Sequence, residues 1–151
     1  MEISKHLSFE ECTHSDTADK LGIKNNNPNL HQIDNMKLLA ESVFEPLREH
    51  FKKPINVSSV FRSLALNQAL KGSITSQHCS GQAMDIDSTT PSNKEIFDFI
   101  KKNLKFDQLI WEFGNSKNPD WVHVSYIDGK NRNQILKASK LNGKTIYEIL
   151  K

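Results

Sequence analysis

Ser76–Asp87 reads SQHCSGQAMDID, and the fold and the chemistry are both read outward from it. His78 precedes a glycine-containing loop, and Asp85 follows in a stretch whose alternation suits a β-strand. Over Gln82–Ser88, Ala83, Asp85 and Asp87 share one face and Met84 and Ile86 the other. Further on, Asp120–Tyr126 reads DWVHVSY, again strand-like, with Asp120 three residues before His123. Two histidines and one carboxylate are the donor set of a catalytic zinc that keeps a fourth position open for water. Gly81 lets the backbone turn between His78 and Asp85, and Asp120 is the nearby general-base candidate. The reaction class that follows is metal-assisted hydrolysis.

The rest of the chain supplies a frame for these two strands. Ser8-Phe-Glu-Glu11 has capping-box spacing, and Ser15 and Asp16 cap a second short helix running toward Gly22. After the turn-rich Asn25–Asn29, a long helix is expected from about Asn29 to about Phe51. Ile33, Met36, Ala40, Val43, Phe44, Leu47 and Phe51 fall on one face of it, and Pro46 should kink it. Ile55–Phe61 reads as a strand, and Ser63–Lys71 as a short helix ended by Gly72. Ser92–Leu104 is an amphipathic helix with Ile96, Phe97, Ile100 and Leu104 inward. Phe106–Phe113 and Trp121–Ile127 are strands, and a hairpin spans Gln134 to Leu150 with its turn at Asn142-Gly143. Helices come first and strands pair late, so the fold class is α+β: a small, mostly antiparallel sheet carrying the site, packed with helices.

Composition narrows the partners. The 151 residues suffice for one domain, 1–151, with the core motifs in 55–127. A hydrophobic share of 36% with 25% charged residues describes a globular chain. A net charge of +2 gives no reason to expect nucleic acid or an anionic membrane as partner. No apolar run approaches spanning length, so membrane insertion is not expected, and MEISKHLSFEEC has no apolar core of a secretory signal. Cys12 and Cys79 are expected to be reduced thiols, with Cys79 a small buried residue in a tight loop. His31 and His50, near the ends of the long helix, are expected to be solvated, and His6 and His14 have no placed role.

Taken together, these motifs resemble the zinc D-alanyl-D-alanine carboxypeptidases of the VanY type, a family with a Hedgehog-like DD-peptidase fold that includes phage endolysin peptidases. Ser76, His78, Gly81, Ala83 and Asp85 fill its SxHxxGxAxD signature, and Asp120, Trp121 and His123 fill the second motif. LSFEE at Leu7–Glu11, PLR at Pro46–Arg48, the Arg62-Ser63 junction and Leu66-Asn67 extend the likeness over roughly Leu7 to Ile127. The resemblance implies one zinc per chain, held by His78, Asp85 and His123. It implies Asp120 as catalytic carboxylate, where many relatives have glutamate and some phage peptidases aspartate. Glu112, on the preceding strand, is the competing carboxylate, as base or as substrate contact. Arg62 stands where the family places an arginine that stabilises the oxyanion or grips a substrate carboxylate; the alternative is a surface salt bridge. Ser76 and Gln77 are substrate-binding donors at the rim, and Asp87 is placed to orient a histidine.

The implied activity is direct attack by water on a peptide bond of peptidoglycan, either D-Ala-D-Ala carboxypeptidase or L-Ala-D-Glu-type endopeptidase. The proton passes through Asp120 to the leaving amine. The implied setting is a monomer made without a signal peptide and acting at the bacterial cell wall, in a host cell if phage-encoded. The alternative is a non-catalytic zinc-containing wall-docking or phage structural module on the same fold. A cytidine-deaminase-like zinc enzyme is excluded, because neither HxE nor PCxxC occurs.

Overall fold

The apolar stripe of the long helical segment is buried as its spacing requires. In the computed structural model, which describes residues 1–151, it comprises α3 (Leu30–Leu39) and α4 (Glu45–Phe51) joined by a π-helical turn, Ala40–Phe44. We number the helices α1 (Phe9–Thr13), α2 (Asp16–Leu21), α3, α4, α5 (Leu64–Ala69) and α6 (Asn93–Asn103). The expected kink at Pro46 takes the form of this π turn. Proline has no N–H to give to the preceding turn, and the backbone widens just before it, with the Glu45 N–H bonded to the Ala40 carbonyl. Met36, Ala40, Val43, Phe44 and Leu47 are fully buried, while Ile33 and Phe51 pack at the edge of the same core.

The strands are β1 (Glu2–Ser4), β2 (Leu7–Ser8), β3 (Asn56–Ser59), β4 (Ala83–Asp87), β5 (Gln108–Glu112), β6 (Trp121–Ser125), β7 (Gln134–Leu141) and β8 (Lys144–Leu150). The small β1–β2 pair has no counterpart in the sequence expectations, because two such short strands carry no period to read. The other six form one sheet in the order β3-β4-β6-β5-β7-β8, antiparallel except for the parallel β5–β7 pair. Asn142 and Gly143, at φ 52° and 77°, form the hairpin turn between β7 and β8. At the end of α5 it is Lys71, not Gly72, that takes a left-handed φ of 56°. Gly72 instead lies against the Asn67 side chain, where a Cβ would come within 2.1 Å of Oδ1.

Alternation along the strands gives the sheet two unlike faces. Met84, Ile86, Leu109, Trp111, Val122 and Val124 pack against the α3–α4 segment and against Ile96, Phe97 and Ile100 of α6. Each such side chain contributes roughly 1.5–3 kcal/mol through burial. The capping box at Ser92 and Glu95 fixes where α6 begins. The opposite face carries Asp85, Ile110, Glu112, Trp121 and His123, all lining one cavity.

Candidate metal centre

Asp85 and His123 stand directly opposite each other on the antiparallel β4 and β6. Facing pairs of this kind have Cβ atoms about 4.5–5.5 Å apart, so the two side chains rise together from a rigid base. His123 Nδ1 lies 3.0 Å from Asp85 Oδ1.

His78 arrives from a 3₁₀ turn, Gln77–Ser80, that packs on α3. Gln32 Nε2 donates to the Cys79 carbonyl and Asn35 Nδ2 to the Ser80 carbonyl, both at 2.9 Å. Gly81 closes the turn at φ 74°, and a Cβ there would come within 2.5 Å of the Gln32 carbonyl oxygen. Only glycine meets both conditions. The Arg62 N–H donates to the His78 carbonyl at 3.1 Å. His78 Nδ1 donates to the Val60 carbonyl at 2.7 Å. A carbonyl can only accept, so Nε2 carries the ring's lone pair, and it faces Asp85 Oδ2 at 3.3 Å.

The three donor atoms lie within 4.8 Å of one another. Two imidazoles and a carboxylate, with one imidazole's second nitrogen tied to a backbone acceptor, fit a zinc ion. Burial lowers the proton affinity of His78, the direction a metal ligand needs. Burial alone would raise the Asp85 carboxyl, but attraction and hydrogen bonding to protons on the two histidine rings outweigh it, so Asp85 is held below the usual carboxylate range. A second group, His14, Asp16 and Asp19, is exposed on the surface.

The cavity over these ligands has a volume of about 840 Å³. Glu112 lines it and is only 7% exposed. Burial, with the Asp85 charge adding to it against the pull of His123 and Arg62, pushes its carboxyl up to about 7. Arg62 also lines the cavity: Nη2 donates to Asp85 Oδ2 at 3.2 Å and Nε to Ser59 Oγ at 3.0 Å. Ser76 and Gln77 are on the rim, where Ser76 Oγ accepts from the His78 N–H and Gln77 Nε2 donates to Asp107 Oδ2.

The sequence profile of Peptidase M15 matches residues 5–125. This chain belongs to that family. M15 peptidases are zinc-dependent metallopeptidases, and the matched segment contains His78, Asp85 and His123. A comparison with curated proteins found no match. No helix of this M15 chain is long and apolar enough to cross a membrane.

Three expected placements differ from what the M15 chain contains. Asp120 is exposed and lines an adjoining groove with Gly114, Asn115 and Ser139, which shares Phe113 and Lys140 with the cavity but not its histidines. A three-residue spacing brings side chains together on a helix; along a strand it sends them to opposite faces. Asp87 accepts from Asn56 Nδ2 at 2.7 Å and orients no histidine; the Val60 carbonyl does that instead. Cys79 is half-buried rather than buried, and both cysteines are free. His50 is exposed and stacks on Phe99 with ring centroids 4.2 Å apart.

Two features of the site escaped sequence reading. Fully buried Asp107 accepts from Arg132 through both oxygens, at 2.9 and 2.7 Å, and from Gln77 at 2.8 Å, tying the His78 turn to the start of β5. The β7–β8 hairpin supplies Leu136, Lys140, Thr145 and Tyr147 to the cavity wall. The parallel β5–β7 pairing that brings it there leaves no local signal.

Proposed function

We propose that this chain is a zinc peptidase of bacterial peptidoglycan, with one zinc held by His78 Nε2, an Asp85 carboxylate oxygen and His123 Nδ1, and with Glu112 as general base. The observation that carries this reading is a buried carboxylate, Glu112, in the same cavity as the three donors. In the metal-free protein burial pushes that carboxyl up to about 7, the direction that favours proton uptake by a general base. Asp120, exposed outside the cavity, lacks that support.

When bound, zinc supplies a Lewis acid for the scissile carbonyl and lowers the pKa of a coordinated water to roughly 7. Glu112 takes the proton of the attacking water and hands it to the leaving amine. Arg62 holds Asp85 through Nη2 and keeps Nη1 for a substrate oxygen, so it both steadies a ligand and offsets developing negative charge. Ser76 uses its oxygen to cap the His78 N–H and has its hydroxyl hydrogen left for substrate. Gln77 has its amide nitrogen engaged by Asp107 and its carbonyl left to accept.

The substrate is the peptide portion of peptidoglycan, cut as a D-Ala-D-Ala carboxypeptidase or as an L-Ala-D-Glu-type endopeptidase, with the cell wall as place of action. Digestion of purified peptidoglycan, followed by mass analysis of the soluble fragments, tests this. Loss of a terminal D-alanine marks the first activity and release of intact stem peptides the second. An undigested wall in the presence of zinc would remove the proposal.

A further inference from the structure

We infer that the C-terminal hairpin builds a subsite for a free carboxylate of the substrate peptide, with Lys140 as its anchor. The inference rests on the peptidase reading above and adds the chemical class of the group recognised.

The hairpin lies beyond residue 125, where the family match ends, yet it forms one wall of the cavity. Three cations line that cavity: Arg62, Arg132 and Lys140. Arg62 is committed to Asp85 and Arg132 to Asp107. Lys140 has no carboxylate within ion-pair distance. Its Nζ donates to Thr145 Oγ1 at 3.1 Å, its cross-strand partner, and lies 5.5 Å from the centroid of the Phe113 ring. An ammonium has three hydrogens, so further donors remain for a ligand.

The wall around Lys140 is built against backbone strain. Phe113 has φ 57°, a left-handed conformation costing a bulky residue about 1–3 kcal/mol. This breaks the strand alternation and puts Phe113 in the same cavity as its neighbour Glu112. Packing against Ile110, Leu136 and Ala138 offsets the strain, and the Trp121 ring lies 5.4 Å away. Tyr147, opposite Ala138 on β8, also lines the cavity, and no side-chain hydrogen bond to protein engages its hydroxyl. The result is an aromatic floor with one uncommitted cation at its edge.

Strand register sets the reach. Asp85, His123, Ile110 and Leu136 form one cross-strand row, and Glu112 with Ala138 forms the next. Lys140 is one further step along β7, and each step is about 6.5–7 Å. An extended peptide rises about 3.3–3.6 Å per residue. The two strand spacings from β6 to β7, about 4.8 Å each, add to this and put the Lys140 backbone roughly 16–17 Å from that of His123, so the group recognised is a carboxylate about three to five residues from the scissile bond, from either a side chain or the chain terminus.

Calorimetry on the zinc-loaded Glu112→Gln protein, which keeps the ligand from being cut, tests this. The probes are the stem pentapeptide L-Ala-γ-D-Glu-L-Lys-D-Ala-D-Ala and its forms amidated at the glutamate α-carboxylate, at the C-terminus, or at both. We expect one of the single amidations to weaken binding about five- to tenfold, which identifies the source of the carboxylate. Adding Lys140→Gln should abolish that discrimination, and Lys140→Arg should keep most of it. Equal binding of the free and doubly amidated peptides, discrimination that survives Lys140→Gln, or no binding of any of the four would overturn the inference. Peptidoglycan hydrolysis by the chain with Glu112 intact is scored separately. Discrimination without hydrolysis removes the peptidase reading alone, and hydrolysis without discrimination removes the Lys140 subsite alone.

Discussion

His78 Nδ1 and the Val60 carbonyl oxygen are 2.7 Å apart, and that bond decides which nitrogen of His78 faces Asp85. The tautomer is fixed before any metal arrives. His78→Ala, Asp85→Ala and His123→Ala should each therefore lose the single zinc, because three ligands are the minimum this site offers. Elemental analysis of protein purified without added metal checks it; full zinc occupancy in any of the three removes that residue as a ligand.

Gly81 holds the same turn from the other end. Gly81→Ala adds a methyl group 2.5 Å from the Gln32 carbonyl on a backbone at φ 74°. The substitution should destabilise the protein by roughly 2 kcal/mol or more and weaken zinc binding with it. Unchanged urea denaturation and zinc affinity would show that the turn tolerates a side chain there.

Asp107 is the buried clamp between Arg132, Gln77 and the start of β5. Asp107→Ala removes acceptors for charged donors and should cost roughly 2–3 kcal/mol. The hydrogen bonds from Arg132, more than its burial, hold the Asp107 carboxyl below its ordinary 3.8. Its contribution is therefore fully present above pH 3.8 and is lost as pH falls through the depressed value. Chemical denaturation of wild type and variant at neutral and acid pH measures both.

Glu112 has the opposite sign. Its folded-state value of about 7 exceeds the ordinary 4.5, so the metal-free fold favours its protonated form. That contribution is present below pH 4.5 and is lost as pH rises through 7. Glu112→Gln should leave metal-free stability nearly unchanged at pH 4.5 and raise it at pH 8, by at most roughly 3 kcal/mol. A stability difference that does not vary with pH would mean that Glu112 is solvated.

The sequence carried the positions of the candidate metal ligands further than that of the candidate base. His78, Gly81, Asp85 and His123 lie in two short segments whose alternation is readable, and β4 and β6 bring them together as that alternation requires. Glu112 is on the same cavity face for a reason that single-strand reading does not contain: the β5–β6 register sets it opposite Trp121, one row from His123. Asp120 matched a motif spacing, but a motif does not say which way a strand residue faces. The Arg132–Asp107 clamp and the Lys140 wall depend on β7 joining β5 in parallel across the sheet, a pairing set by the whole fold.

The most direct test compares Glu112→Gln with Asp120→Asn in zinc-loaded protein, following the appearance of new amino groups from purified peptidoglycan. Both variants should retain about one zinc per chain. Glu112→Gln should lose about 10²–10⁴-fold in hydrolysis, the usual worth of a general base, while Asp120→Asn stays within about threefold of wild type. The reverse order, with zinc retained in both, would contradict the assignment of the buried Glu112 as the group that moves the proton.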